Sequence, residues 1–286
     1  MRLGVQGLLP QHPRVTPADA AAIAAAGFSG VSYMIPDPLT AIPAELEGVR
    51  DTLAAAGVAV AQANAQYNAL VDPDEARRRQ GVAAMRRACL CARHLRAATL
   101  YVRPGSLNPR GHWWPHPDNT APATLRRLTS SLREIATAAE AEGVILALEG
   151  HVVSPLDCAE RVREVLEAVN SPALRFNMDP VNFVGGLSDA YDTAGLLAQL
   201  FAVLGPWTVT GHAKDVYVED RHVLHLSECV PGQGLLDQRT FLRLFEEYCP
   251  HGYMIIEHLP DEQIPAAKLA LDAASSSLGL SWRRDA

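Results

Sequence analysis

Residues 143–149, Gly143-Val144-Ile145-Leu146-Ala147-Leu148-Glu149, carry the reading on which the rest of this chain depends. A glycine releases the chain from a preceding helical pattern, five apolar residues make a run of strand length, and a carboxylate closes it. Three later runs repeat the design: Leu174 to Met178 before Asp179, Trp207 to Gly211 before His212, and Tyr253 to Ile256 before Glu257. The spacings of 30, 33 and 45 residues each approximate one strand-plus-helix unit, the last lengthened by a long connection. Where strands run parallel around a barrel, their carboxyl ends converge on one face, so residues far apart in sequence meet at one point.

Outward from these runs, extended and helical patterns alternate along the whole chain. Strand-like segments fall near residues 2–9, 28–34, 58–63, 97–103, 144–149, 174–179, 207–212 and 253–257. Helical patterns occupy 17–26, 40–56, 73–94, 120–142, 155–170, 190–204, 237–249 and 261–278. Thr16 and Pro17 open the first helix as a cap followed by a first-turn proline, and Gly27, Gly57 and Gly143 stand where a left-handed residue would turn a helix end into the next strand. Eight such units without a linker predict one domain over residues 1–286, an α/β fold of the closed (β/α)8 TIM barrel class. The competing doubly wound sheet needs a glycine-rich phosphate loop after an early strand, and Leu9-Pro10-Gln11-His12-Pro13-Arg14 is not one. Connections 104–119, rich in Pro, Gly and Trp, and 216–236 exceed the usual length, and such loops at the active end of a barrel cover or shape its pocket.

The 286 residues, 48% of them apolar and 20% charged, suffice for a sizeable core and exclude wholesale disorder. A formal charge of −7 argues against a nucleic-acid backbone as partner, because phosphate binding requires clustered Lys and Arg. Five cysteines (Cys89, Cys91, Cys158, Cys229 and Cys249), odd in number and without a C-x-x-C, read as reduced and mostly buried thiols. The start, Met1 to Gln6, leads into a strand without a signal-like apolar region, and no apolar run is long enough to span a bilayer. These features predict a cytoplasmic protein without a membrane partner. Alanine-rich helices are compatible with a monomer or a homo-oligomer.

A single acid after a strand is more often a helix cap or a solvated loop carboxylate than a ligand. Four such residues on successive strands change the weighing. Glu149, Asp179, His212 and Glu257 offer three oxygen donors and one imidazole, a set suited to one divalent ion (Mn, Mg, Co or Zn), with positions left for substrate oxygens or water.

With Leu148-Glu149, Met178-Asp179, the segment from Gly211 through His212 and Lys214 to Asp215, the turn Pro231 to Gly234, and Ile256-Glu257, the chain resembles the xylose isomerase-like barrel superfamily. Within it, the pattern is similar to sugar and sugar-phosphate isomerases and epimerases, inositol-catabolism enzymes, hydroxypyruvate isomerase and endonuclease IV. The resemblance covers nearly the whole chain. It implies one divalent metal ion on the four residues already singled out, with Glu149 and Glu257 as both ligands and acid/base groups. Such a site polarises a carbonyl while one glutamate removes a proton from the adjacent carbon and another returns it, giving isomerisation or epimerisation through an enediolate. The substrate implied is a small carbohydrate, inositol-type compound, sugar phosphate or keto acid.

Other residues around the strand tails have both a chemical and a structural reading. His151, two residues past Glu149, shares its side of the strand tail and fits a base, a substrate hydroxyl donor or a loop-capping histidine. With His151 as base, relatives that eliminate keep a lyase or dehydratase reading open. Lys214 fits an oxyanion partner or a structural ion pair with a ligand carboxylate. Arg103 fits an anchor for a substrate phosphate or carboxylate, or a rim salt bridge. Trp113 and Trp114 fit a pocket wall, an interface or the core, and Asp215 reads as a loop or cap residue. An endonuclease IV-like cluster would need further histidines. Asn182 stands where one is required, and the tails at Ser32 to Met34, Gln62 to Ala65 and Tyr101 to Arg103 supply none, although Asp220 to His222 resembles one nuclease element. A non-catalytic sugar-binding barrel is the remaining alternative.

Overall fold

The computed structural model describes residues 1–9, 14–67 and 69–284. Pro10 to Pro13 of the segment weighed against a phosphate loop lie outside these, as does Asn68. In chain order the strands are β1 (Arg2–Val5), β2 (Gly30–Ile35), β3 (Ala59–Ala65), β4 (Thr99–Val102), β5 (Leu146–Leu148), β6 (Leu174–Met178), β7 (Thr208–Ala213), β8 (Asp215–Val218), β9 (Leu226–Cys229) and β10 (Tyr253–Ile256). The helices are α1 (Pro17–Ala25), α2 (Pro43–Ala55), α3 (Glu75–Leu95), α4 (Pro122–Glu142), α5 (Ala159–Val169), α6 (Leu187–Tyr191), α7 (Thr193–Leu204), α8 (Gln238–Tyr248) and α9 (Ile264–Ser277). Eight strands close a parallel barrel in the order β1-β10-β7-β6-β5-β4-β3-β2, sealed where β1 pairs with both β10 and β2. This is the (β/α)8 TIM barrel expected from the alternation.

Local chemistry sets the element ends. The Thr16 hydroxyl accepts from the Asp19 backbone N–H while the Asp19 carboxylate accepts from the Thr16 backbone, a reciprocal cap in front of Pro17. Gly143 closes α4 at φ 66°, a conformation that costs glycine nothing, and the chain reverses into β5. The first strand is shorter than its 2–9 pattern suggests. Gly7 at φ 117° and Leu8 at φ 60° turn the backbone out of the extended region just past Val5.

Period-two alternation divides the barrel side chains into two sets. Val5, Val31, Leu100, Leu148, Phe176, Met178, Met254 and Ile256 join the large core between barrel and helices. Each side chain fully buried there contributes roughly 1.5–3 kcal/mol by leaving water. Ala61, Tyr253 and Ile255 form a separate cluster inside the barrel. Gly30 makes room for this plug, since a Cβ there would lie 2.5 Å from the Tyr253 ring. One irregularity redirects a polar side chain into the barrel. The register between β2 and β3 shifts between Val31 and Ser32, so Ala61 is an extra residue on β3. This bulge reverses the phase of the strand, and Gln62, which follows inward-facing Ala61, also points into the barrel.

The 216–236 connection holds structure that its sequence did not announce. β8 and β9 pair antiparallel as a hairpin from Asp215↔Cys229 to Val218↔Leu226. At four residues each, these strands are too short for periodicity to separate from loop. No helix among the described residues is long and apolar enough to cross a membrane. All five cysteines are free, with Cys89, Cys91 and Cys249 buried.

Candidate metal centre

Glu149, Asp179, His212 and Glu257 leave the ends of β5, β6, β7 and β10, four strands adjacent in the barrel. Each offers one ligand atom, and these atoms lie within 4.8 Å of one another. None of the four side chains is more than 7% exposed. His212 is the hub, with Nδ1 at 2.9 Å from Glu149 Oε1, 3.0 Å from Glu257 Oε1 and 3.9 Å from Asp179 Oδ2. Glu149 and Glu257 are the outer members of the arc, one on either side of the imidazole and aspartate. Buried carboxylates at such density require a cation.

Polar side chains lower in the barrel orient this arc. His212 Nε2 lies 3.1 Å from Gln62 Oε1, which can only accept, so Nε2 carries the proton and the Nδ1 lone pair is directed at the carboxylates when the ring is neutral. Gln62 Nε2 donates to Asn177 Oδ1 at 3.3 Å, and Asn177 Nδ2 donates to Glu149 Oε1 at 2.6 Å. The Tyr101 hydroxyl donates to the other oxygen, Glu149 Oε2. These three orienting residues did not stand out in the sequence. Asn177 precedes Asp179 by two and so shares its side of β6, a signal that could have found it. Gln62 reaches the site only through the bulge.

The donor set fits a divalent ion. Asp179 Oδ1 is buried and has no hydrogen-bond partner among the described residues, a costly state for a carboxylate oxygen unless it serves as a ligand. Burial disfavours a charged imidazole, yet Glu257 and Glu149 hold His212 protonated up to about 10. Burial also pushes Asp179 up to about 7, against the ammonium of Lys214. For Glu257, burial is outweighed by His212 and Lys214, and its carboxyl stays well below the ordinary range. Three carboxylates thus share two proton-borne positive charges, and replacing the His212 proton by a metal ion keeps the ligand oxygens compensated.

Lys214 is part of the cluster. Its ammonium lies 2.7 Å from Asp179 Oδ2 and 2.9 Å from Glu257 Oε1. Asp215 is structural and has a larger task than a single cap. Its Oδ2 accepts from Gly232 and Gly234 N–H at 2.8 and 3.0 Å, and its Oδ1 from Val216 and Leu236 N–H at 2.8 and 2.9 Å. The Pro231–Gly234 turn therefore wraps one buried carboxylate, and Gly234 is needed because a Cβ there would lie 2.3 Å from Asp215 Oδ1.

His151 lines a cavity of about 390 Å³ beside Asn182 and Glu228. Its Nδ1 accepts from Val153 N–H at 3.2 Å, and burial lowers its basicity to about 4, so the ring is neutral with the proton on Nε2. Trp113 stacks on His151 at 5.7 Å between ring centroids, which brings the 104–119 loop to the cavity. Trp114 is on the outside, under the guanidinium of Arg110 at 3.7 Å. Arg103 follows Tyr101 by two on the same side of β4. Its guanidinium packs 4.8 Å from the Tyr67 ring centre and donates to Ala65 O, and its buried Nε has no partner among the described residues. Glu228 of β9 and His258, with Nδ1 3.2 Å from Glu228 Oε2, complete the neighbourhood. Neither was singled out from sequence, because the hairpin that carries Glu228 to His258 was not.

Comparison with known proteins agrees with this architecture. Residues 20–277 match the family described as xylose isomerase-like TIM barrel. No curated protein matches the chain. Among solved structures, the chain is similar to a xylose isomerase domain protein from Planctomyces limnophilus (20% identity, 97% of each chain covered, TM-score 0.74). It is also similar to the 3-keto-D-glucoside 4-epimerase of E. coli (17% identity, 96% of this chain and 99% of that one, TM-score 0.70). A third is a xylose isomerase-like TIM barrel protein from Mycobacterium smegmatis in complex with magnesium (16% identity, 96% and 95%, TM-score 0.71). At these identities the structural likeness speaks for the fold. Because the family match runs over most of the barrel that carries the Glu-Asp-His-Glu arc, this chain belongs to the xylose isomerase-like TIM barrel family.

Proposed function

We propose that the protein is a divalent-metal-dependent isomerase or epimerase of a small sugar, sugar phosphate, inositol-type or keto-acid substrate, working by proton transfer beside a carbonyl. The observation that carries this reading is the placement of Glu149 and Glu257 at the two ends of the arc, each about one hydrogen-bond length from His212 Nδ1. Two carboxylates flanking one point suit proton removal from one side of a carbon and proton return from the other. A bound divalent ion would supply Lewis-acid polarisation of the substrate carbonyl and compensate the charge that develops on its oxygen.

In this reading one glutamate takes the proton as the C–H bond breaks, and the electron pair moves into the carbon–carbon bond of an enediolate. Return of a proton to the same carbon from the opposite face inverts it, and return to the neighbouring carbon moves the carbonyl. Tyr101 and Asn177, hydrogen-bonded to Glu149, hold that carboxylate in place. Neutral His151 with Nε2–H suits a donor to a substrate hydroxyl better than a base, which favours proton transfer over the lyase alternative. Arg103, with its unpartnered Nε, suits an anchor for an oxygen at the substrate's far end, and Trp113 suits a wall that keeps water out. The 3-keto-D-glucoside 4-epimerase to which the chain is similar is consistent with this chemistry.

The test is uptake of deuterium from solvent into a panel of ketoses, sugar phosphates and inosose-type ketones with Mn²⁺ present. Wild-type protein incorporates one deuterium next to the carbonyl of its substrate. Glu149→Gln and Glu257→Gln each reduce the rate by about a hundredfold or more, while His151→Ala and Arg103→Ala keep exchange but need more substrate to saturate. Exchange that survives both glutamine variants would refute the assignment.

A further inference from the structure

Lys214 has two sets of partners. On one side its ammonium holds Asp179 Oδ2 at 2.7 Å and Glu257 Oε1 at 2.9 Å, oxygens of two of the four candidate ligands. On the other side lie Asn182 Oδ1 at 3.3 Å and Glu228 Oε1 at 3.5 Å. Glu228 is half-exposed on the β8–β9 hairpin, and His258 Nδ1 braces it at 3.2 Å. A lysine head on a four-carbon stem passes between two such partner sets by rotation of its terminal bonds, without backbone movement.

Two cations compete for the same oxygens here. An ammonium on Asp179 and Glu257 and a divalent ion on the full arc would be like charges a few ångströms apart in a buried site, where Coulomb repulsion is weakly screened. Yet the ammonium is useful to the loaded site. With His212 neutral, three carboxylates, one ammonium and one divalent ion leave no net charge, so Lys214 close by is favourable provided that it does not occupy the ligand oxygens.

We propose that Lys214 is a displaceable counter-cation of the metal site and that Glu228 is the berth to which its ammonium moves when Asp179 and Glu257 take a divalent ion. The inference rests on the metal reading given above. Asn182 and Glu228 line the same cavity as His151, so the displaced ammonium would face the space open to substrate oxygens. The hairpin then has a chemical purpose: it carries the carboxylate that draws the lysine off the ligands.

Equilibrium titration with Mn²⁺ alone, on chelator-stripped protein, decides the matter without reference to turnover. Lys214→Met binds Mn²⁺ at least about tenfold more tightly than wild type, because the competing cation is gone. Glu228→Gln binds it about threefold or more weakly, because the ammonium loses its berth. In the Lys214→Met background the Glu228→Gln effect shrinks to within about twofold, since Glu228 acts through the lysine. Equal or weaker binding by Lys214→Met overturns the proposal, as does a Glu228→Gln effect of the same size in both backgrounds, which a simple field effect would give. Should Lys214→Met fail to fold, Lys214→Gln takes its place as the background, with the same outcomes deciding, and unchanged affinity in Glu228→Gln alone overturns the proposal. Absence of Mn²⁺ binding in wild type would overturn the metal reading and this inference together, whereas wild-type binding with the wrong order among variants would overturn this inference only.

Discussion

The two halves of the barrel rim are built from different chemistry. From β5 through β6 and β7 to β10, the inward tails carry Glu149, Asp179, His212, Lys214 and Glu257, all ionisable and all buried. At the rim from β1 to β4 the inward positions are mainly amide and phenol, Gln6, Gln62, Asn64 and Tyr101, beside the charged Arg103. The charged half holds the candidate ligands, and the neutral half orients them, through Gln62 to His212 and Tyr101 to Glu149. The charged half also needs outside support, which Asp215 supplies by fixing the Pro231–Gly234 turn beneath the hairpin. Charge can be concentrated on one side because uncharged groups on the other fix its geometry without adding to the repulsion.

Removing that support should have the largest effect on the contrast. Asp215→Ala would leave four backbone N–H groups without their acceptor, and denaturant unfolding should show a loss of about 3 kcal/mol or more. A loss under about 1 kcal/mol would mean that the turn is held by something else. A smaller effect, in the opposite half, tests whether the neutral side truly orients the charged side. Gln62→Leu leaves His212 Nε2 and Asn177 Oδ1 unpaired and should lower Mn²⁺ affinity by about tenfold to a hundredfold, at a cost of about 1–3 kcal/mol in unfolding free energy. Unchanged affinity would reduce Gln62 to packing.

The same division explains what the sequence made legible. The charged arc was readable because each candidate ligand closes a short apolar run, and because parallel strands bring their carboxyl ends together whatever the sequence distance. Helix ends were readable at Thr16 and Gly143, where the cap chemistry is local. Gln62 was not, since the period set by Val58 and Val60 would direct it outward and only the bulge at Ala61 turns it in. Glu228 and His258 were hidden for another reason. Their contact depends on a hairpin of four-residue strands and on a left-handed φ of 59° at His258, neither of which has a sequence signature of its own. Lys214 was readable as an ion-pair partner, but the two carboxylates it bridges come from different strands and only the fold brings them together.

Calorimetric titration of chelator-stripped protein with Mn²⁺ near pH 7, repeated in buffers of different ionisation enthalpy, tests the central claim most directly. The Glu149 and Glu257 carboxylates keep His212 protonated up to about 10, and a ligand Nδ1 must be free of its proton. One ion per chain should therefore bind with release of roughly one to two protons, one from His212 and part of one from Asp179, which burial lifts to about 7, and with affinity that falls as the pH is lowered. Binding without proton release would contradict the role of His212, and no binding at any pH would contradict the metal centre itself.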